Sequence, residues 1–191
     1  MIMDKKRLFG SVCCTALIAA SCSQGGNNLH GTAGPSYEGC SVTLCDPYSL
    51  EVIDSTTVSG RRFAFCLPPT PVAVYLLRAS HGKDDPFPVS LPVVGGEGPV
   101  RACIGSKVQT AGTPLNEAMQ DFLLAADRER DSIAATARTA EEAGARFRDF
   151  LKGQAGRHAG TVVGDYILRA YASRFTPEDL QELQGKDKNN D

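Results

Sequence analysis

Cys40, Cys45, Cys66 and Cys103 carry the side chains of this 191-residue chain best suited to covalent chemistry. No two of them form a C-x-x-C pair, the spacing that lets one thiol resolve a mixed disulfide on the other. Cys40 shares strand parity with Val42 and Leu44, so it is predicted to face a core, as a small apolar group or half of a disulfide. Cys66 is out of phase with Phe63 and Phe65, and Cys103 is out of phase with Val100, Ala102 and Ile104. Cys45 closes its strand beside Asp46-Pro47. An even set of thiols reads as disulfides in an oxidising compartment, with three connectivities open. The alternative is that two of the four cycle as a redox pair. That chemistry asks for a helix N-terminus or a neighbouring cation, and only Arg62 and Arg101 stand near a cysteine in sequence.

Other chemistry is weakly supported. A zinc site from Cys40 and Cys45 lacks a second close pair at ligand spacing, so no metal is expected. His30, His81 and His158 lie far apart and read as solvent-exposed loop residues. No G-x-S-x-G, phosphate-cradling loop or H-E-x-x-H occurs. Gly95-Gly96-Glu97-Gly98 joins two strands and reads as a turn. Glu141-Glu142 and the Asp127–Asp131 charge run read as the solvated face of a helix. Ser80–Pro86, with Asp84 and Asp85, reads as an exposed polar turn in preference to a cation loop. No catalytic residue and no cofactor are expected.

The N-terminus sets the location. Lys5, Lys6 and Arg7 precede an apolar run from Leu8 to Ala20, the charged and hydrophobic regions of a secretory leader too short to span a bilayer. Leu17-Ile18-Ala19-Ala20-Ser21-Cys22 resembles the lipobox of bacterial lipoproteins, with Ala19 where that motif usually has Leu. The resemblance implies that residues 1–21 are removed, taking Cys13 and Cys14, and that Cys22 is lipidated and anchors the chain to a membrane. Ser23, with no acidic neighbour, implies an outer-membrane anchor facing the periplasm, with exposure on the outer surface left open. Losing Lys5, Lys6, Arg7 and Asp4 moves the formal charge from −2 to −4. A mildly acidic chain without a basic run is a poor nucleic-acid binder. The absence of Trp disfavours an aromatic-lined sugar cleft.

Residues 22–36, rich in Gly, Asn and Ser, read as a flexible tether. Residues 37–112 read as short strands divided by turns, predicting an antiparallel β-sandwich or small barrel. Within it, 50–58 and 61–65 are predicted to pair as a hairpin through Ser59-Gly60, and Pro92 marks 89–94 as an edge strand. Residues 113–184 read as helical, giving an α+β chain overall. Thr113-Pro114 starts a helix whose apolar face runs from Leu115 to Leu151, as one helix or as two in tandem, with Gly144 as the interruption and Lys152-Gly153 as the stop. A further helix is predicted from about Thr161 to Ala172. Another follows Thr176, with Asp179 near the reciprocal capping position and Phe175 stapled to Leu180. Residues 185–191 read as a charged, disordered tail.

Val52–Val58, a turn, then Arg62-Phe63-Ala64-Phe65 resembles a domain of unknown function found at the N-terminus of thiol:disulfide interchange lipoproteins. Gly112–Asn116, Gly164-Asp165-Tyr166 and Phe175–Leu180 resemble the helical linker between that domain and a thioredoxin-like domain. The C-x-x-C of such proteins lies in the thioredoxin domain, which this sequence lacks, so no catalytic residue carries over. The expected function is therefore a membrane-anchored, non-catalytic interaction module, with a thioredoxin-like envelope protein as the partner the resemblance implies. The alternatives are an accessory in thiol–disulfide exchange using two of the chain's own cysteines, or a small-ligand binding protein.

Overall fold

The alternation of apolar and polar residues resolves into two four-stranded sheets followed by four helices, in a computed structural model that describes residues 28–82, 85 and 88–187. The leader, Cys22 and residues 188–191 lie outside the described residues. The strands are β1 (Leu29–Ala33), β2 (Ser41–Cys45), β3 (Val52–Thr57), β4 (Arg62–Phe65), β5 (Ala73–Ser80), β6 (Val89–Gly95), β7 (Val100–Ile104) and β8 (Gln109–Ala111). Sheet A has the order β4-β1-β7-β8 and sheet B the order β3-β2-β5-β6. The helices are α1 (Pro114–Thr136), α2 (Ala140–Arg157), α3 (Val162–Ala170) and α4 (Pro177–Asp187).

The core between the sheets follows strand parity. Leu29, Phe63, Phe65, Val100, Ala102 and Ile104 from sheet A meet Val42, Leu44, Leu77, Leu91 and Val93 from sheet B. Burying each large side chain here contributes on the order of 1.5–3 kcal/mol. Gly31 on β1 makes room for the Phe63 ring, whose nearest atom would lie 2.0 Å from a Cβ at that position.

Five sequence expectations are corrected. β1 falls inside the stretch read as tether, because Leu29 and Ala33 are buried core residues and the chain there is paired on both sides. Its pairing with β7 is parallel, an exception in an otherwise antiparallel fold. The expected β3–β4 hairpin is reduced to the single bridge Ser59↔Arg62. Beyond it β3 pairs with β2 and β4 with β1, so the turn joins two sheets. That turn has Gly60 and Arg61 both at positive φ, and the Glu38 carboxylate accepts from both of their backbone N–H groups at 2.8 Å. Last, the tandem helices break at Ala137–Thr139 and not at Gly144, which faces open space within α2. Thr139 caps α2 by accepting from the Glu142 N–H. Nor does α2 stop at Lys152-Gly153, since Leu151, Gln154 and Ala155 are buried on its continuing face.

The helices are part of the sandwich's closure. Met119, Phe122 and Ala126 of α1 join Leu151, Val163 and Ile167 in a second core that reaches Val74 and Val94 on sheet B. β6 and β8 are the open edges of the two sheets on one side, and α1 covers both. Asn116, fully buried, accepts from the Val94 N–H at 2.9 Å and the Thr110 hydroxyl at 2.7 Å. It donates to the Val94 carbonyl at 2.7 Å and to Thr113 Oγ1 at 2.9 Å. One turn later Gln120 accepts from the Thr110 N–H at 2.8 Å. Two amides spaced i, i+4 thus occupy backbone groups that an uncovered edge would present to another chain. At the C-terminus the predicted capping box of α4 forms, with Asp179 accepting from the Thr176 N–H and Thr176 Oγ1 from the Asp179 N–H.

Candidate functional site

The four cysteines do not meet. Cys40, Cys45 and Cys103 are free thiols, so no disulfide joins any two of the four. The topology explains why. Cys40 and Cys45 stand at opposite ends of β2, five residues or about 17 Å apart, against a disulfide Cα span of about 4.4–6.8 Å. Cys66 follows β4 and Cys103 lies on β7, in the other sheet with β1 between them. The register sets Phe65 against Leu29 but Cys103 against Thr32, so the two are also offset along the strands. A Cys40–Cys45 or Cys66–Cys103 pair therefore lacks the geometry for a bridge. Parity does hold: Cys40 is buried, Cys66 exposed and Cys103 half-buried. Cys45 is fully buried on the other face of β2, with its Sγ 3.5 Å from Thr43 Oγ1.

Each remaining thiol has its own surroundings. Cys103 lies in a cleft of about 850 Å³ across sheet A. The register builds its floor: Ala64, His30, Arg101 and Ala111 form one cross-strand row, and Arg62, Thr32, Cys103 and Gln109 form the next. Thr56 and Thr57 of β3 complete one wall. His30, Arg62 and Arg101 bring cationic or protonatable groups to this cleft, and no carboxylate among the described residues lines it. His30 was expected in a loop; it sits on β1 because the strand begins earlier than the tether composition suggests. No single motif encodes the cleft, since its residues come from five strands.

Cys40 meets a second histidine. The antiparallel register of β2 with β5 ends at Ser41↔Ser80, which sets residues 40 and 81 opposite each other. Cys40 Sγ lies 3.1 Å from His81 Nδ1. The His81 ring stacks on Tyr37 at 4.8 Å between centroids, and its backbone N–H donates to Asp85 Oδ2 at 3.0 Å. The pair lines a cavity of about 550 Å³ that Arg78 and Asp85 also line. His81 is exposed, as its sequence surroundings suggest, but it is not isolated. Its partner was hidden because strand pairing, which alternation alone does not specify, decides the juxtaposition.

His158 is likewise no free loop residue. It caps the end of α2, half-buried, and burial pushes its imidazole below the ordinary value. Asp84 of the polar turn lies outside the described residues. Among the described residues no cluster of three His, Cys, Asp or Glu side chains is placed to hold a metal ion. Likewise, no helix there is long and apolar enough to cross a membrane. Where the helices meet the sandwich, the Arg169 guanidinium stacks 3.6 Å above the Tyr48 ring. Tyr166 is half-buried nearby, and that desolvation pushes its phenol up to about 12. These groups lock α3 to the β2–β3 loop and offer no reacting constellation. Compared with known proteins, the chain matches no described family, no curated protein and no solved structure.

Proposed function

We propose that this protein is a lipid-anchored, non-catalytic binding module of the cell envelope, tethered through Cys22, whose ligand seat is the cleft on sheet A. The observation that carries this reading is the cleft's make-up. His30, Arg62 and Arg101 converge on a floor that includes Ala64 and Ala111, with hydroxyls from Thr32, Thr56 and Thr57 and no opposing carboxylate among the described residues. Convergent polar groups over an apolar base characterise small-ligand sites. Two guanidiniums without acidic partners select an anion. The ligand class is therefore an anion with an apolar body. Anilinonaphthalene sulfonate has that chemistry and serves as the probe. The full chain in mild detergent should bind one equivalent with salt-sensitive affinity, and Arg62→Glu/Arg101→Glu should abolish it while leaving the far-UV circular dichroism unchanged. Equal binding by the charge-reversed variant would overturn the cleft as the site.

A second reading, docking of another envelope protein, is favoured by one feature. Among the described strands, edge strand β3 pairs in its sheet only with β2, and Leu50 just before it and Val52 and Ile53 within it are 47%, 56% and 54% exposed. Such an edge can accept a strand from a partner. That the partner is thioredoxin-like rests on the sequence resemblance alone.

A further inference from the structure

We propose that Cys40 and His81 form a reactive-thiol site that captures small anionic disulfides as a mixed disulfide on Cys40. A thiol within hydrogen-bond reach of an imidazole is the arrangement that activates a cysteine nucleophile. Here the contact is 3.1 Å, and the ring is oriented by Tyr37 on its face and by Asp85 at its backbone. Cys40 retains 9% exposure and opens onto the 550 Å³ cavity, so the sulfur is sheltered yet reachable. Among the described residues, the charged groups that line this cavity with the pair are Arg78 of β5 and Asp85 of the following loop. Arg78 offers a guanidinium to an incoming carboxylate.

The step balances without an added oxidant. His81 Nδ1 takes the Cys40 proton, and the thiolate attacks one sulfur of the disulfide RS–SR. The Cys40–SR bond forms as the RS–SR bond breaks, and the departing RS⁻ takes the proton from His81. One disulfide is consumed and one is made. Cys45 stands at the other end of β2, and Cys66 and Cys103 belong to the other sheet, so no other cysteine among the described residues resolves the adduct. It persists until an external thiol removes it. The site therefore stores a thiol group, and this role is independent of the sheet A cleft.

Glutathione disulfide is the test reagent, applied to the full chain in mild detergent and followed by peptide mass mapping. The adduct should form on Cys40 about tenfold or more faster than on Cys66 or Cys103, as expected for a thiol with a paired base. His81→Gln should erase that advantage. Arg78→Gln should slow capture of glutathione disulfide but not of uncharged hydroxyethyl disulfide. Labelling of Cys66 or Cys103 with Cys40 unmodified, or a His81→Gln rate equal to that of the parent, would overturn the proposal. Equal slowing of both reagents by Arg78→Gln would remove the anion preference from it.

Discussion

Replacing Asn116 with alanine should unseat the helices from the sandwich. The side chain holds three groups that are otherwise buried without partners: the Val94 N–H, the Val94 carbonyl and the Thr110 hydroxyl. Each buried polar group left unsatisfied costs about 1–3 kcal/mol. Water entry at the vacated site relieves part of this, so the expected loss is about 3–5 kcal/mol. The capping contact from the backbone N–H of residue 116 to Thr113 survives the change. For a folded region of this size, 1 kcal/mol corresponds to about 2–4 °C in Tm, so Tm should fall by roughly 10 °C. Gln120→Ala supplies the internal comparison. It removes one bond, to the Thr110 N–H, from a half-buried position that water reaches, at a cost of about 0.5–1.5 kcal/mol. Since both amides converge on Thr110, the double variant should show non-additive coupling. Asn116→Asp keeps the acceptors but buries a charge and loses the donors, so it should be no more stable than the alanine variant. Urea unfolding followed by far-UV circular dichroism suits a chain without Trp. A cost below about 1 kcal/mol for Asn116→Ala, or one equal to that of Gln120→Ala, would refute edge closure by α1 as argued from buried polar satisfaction.

Two further predictions concern the helical region. Gly164→Ala should destabilise by about 1–3 kcal/mol, the usual range for overpacking. Its new Cβ would stand 2.4 Å from the His158 carbonyl oxygen, a backbone atom with little freedom to retreat; thermal melts that show no loss would contradict this. Asp179 carries an acid-linked contribution. Hydrogen bonding from Lys152, followed by that from the Thr176 backbone, lowers its carboxyl from 3.8 to about 2. A depressed carboxyl stabilises fully above the unfolded value and loses that effect as pH falls through the folded one. The midpoint of urea unfolding should therefore decline between about pH 5 and pH 2. Asp179→Asn, which can still accept from Thr176, should flatten that decline; an unchanged slope would assign the acid sensitivity elsewhere.

Local chemistry made much of this fold legible in the sequence. Alternating residues predicted β2 and β4, because a strand exposes its faces with period two. Thr113-Pro114, Thr161 and Thr176-x-x-Asp179 marked helix starts, because a capping hydroxyl acts within three residues of its own position. The parity of Cys40, Cys66 and Cys103 also gave their burial correctly, for the same period-two reason. Pairing is another matter. Which strands become neighbours depends on loop closure and core filling over long separations, and no local pattern records it. So the parallel β1–β7 pair, the turn at Gly60 that changes sheets, and the separation of the four thiols emerged only in three dimensions. The two candidate sites have the same origin. Residues 40 and 81 meet because β2 and β5 share a register, and His30, Arg62 and Arg101 converge because three strands lie side by side. Asn116 is the sharpest instance: the sequence shows a polar residue one turn into a helix, and only the tertiary structure makes it the clasp between two sheet edges.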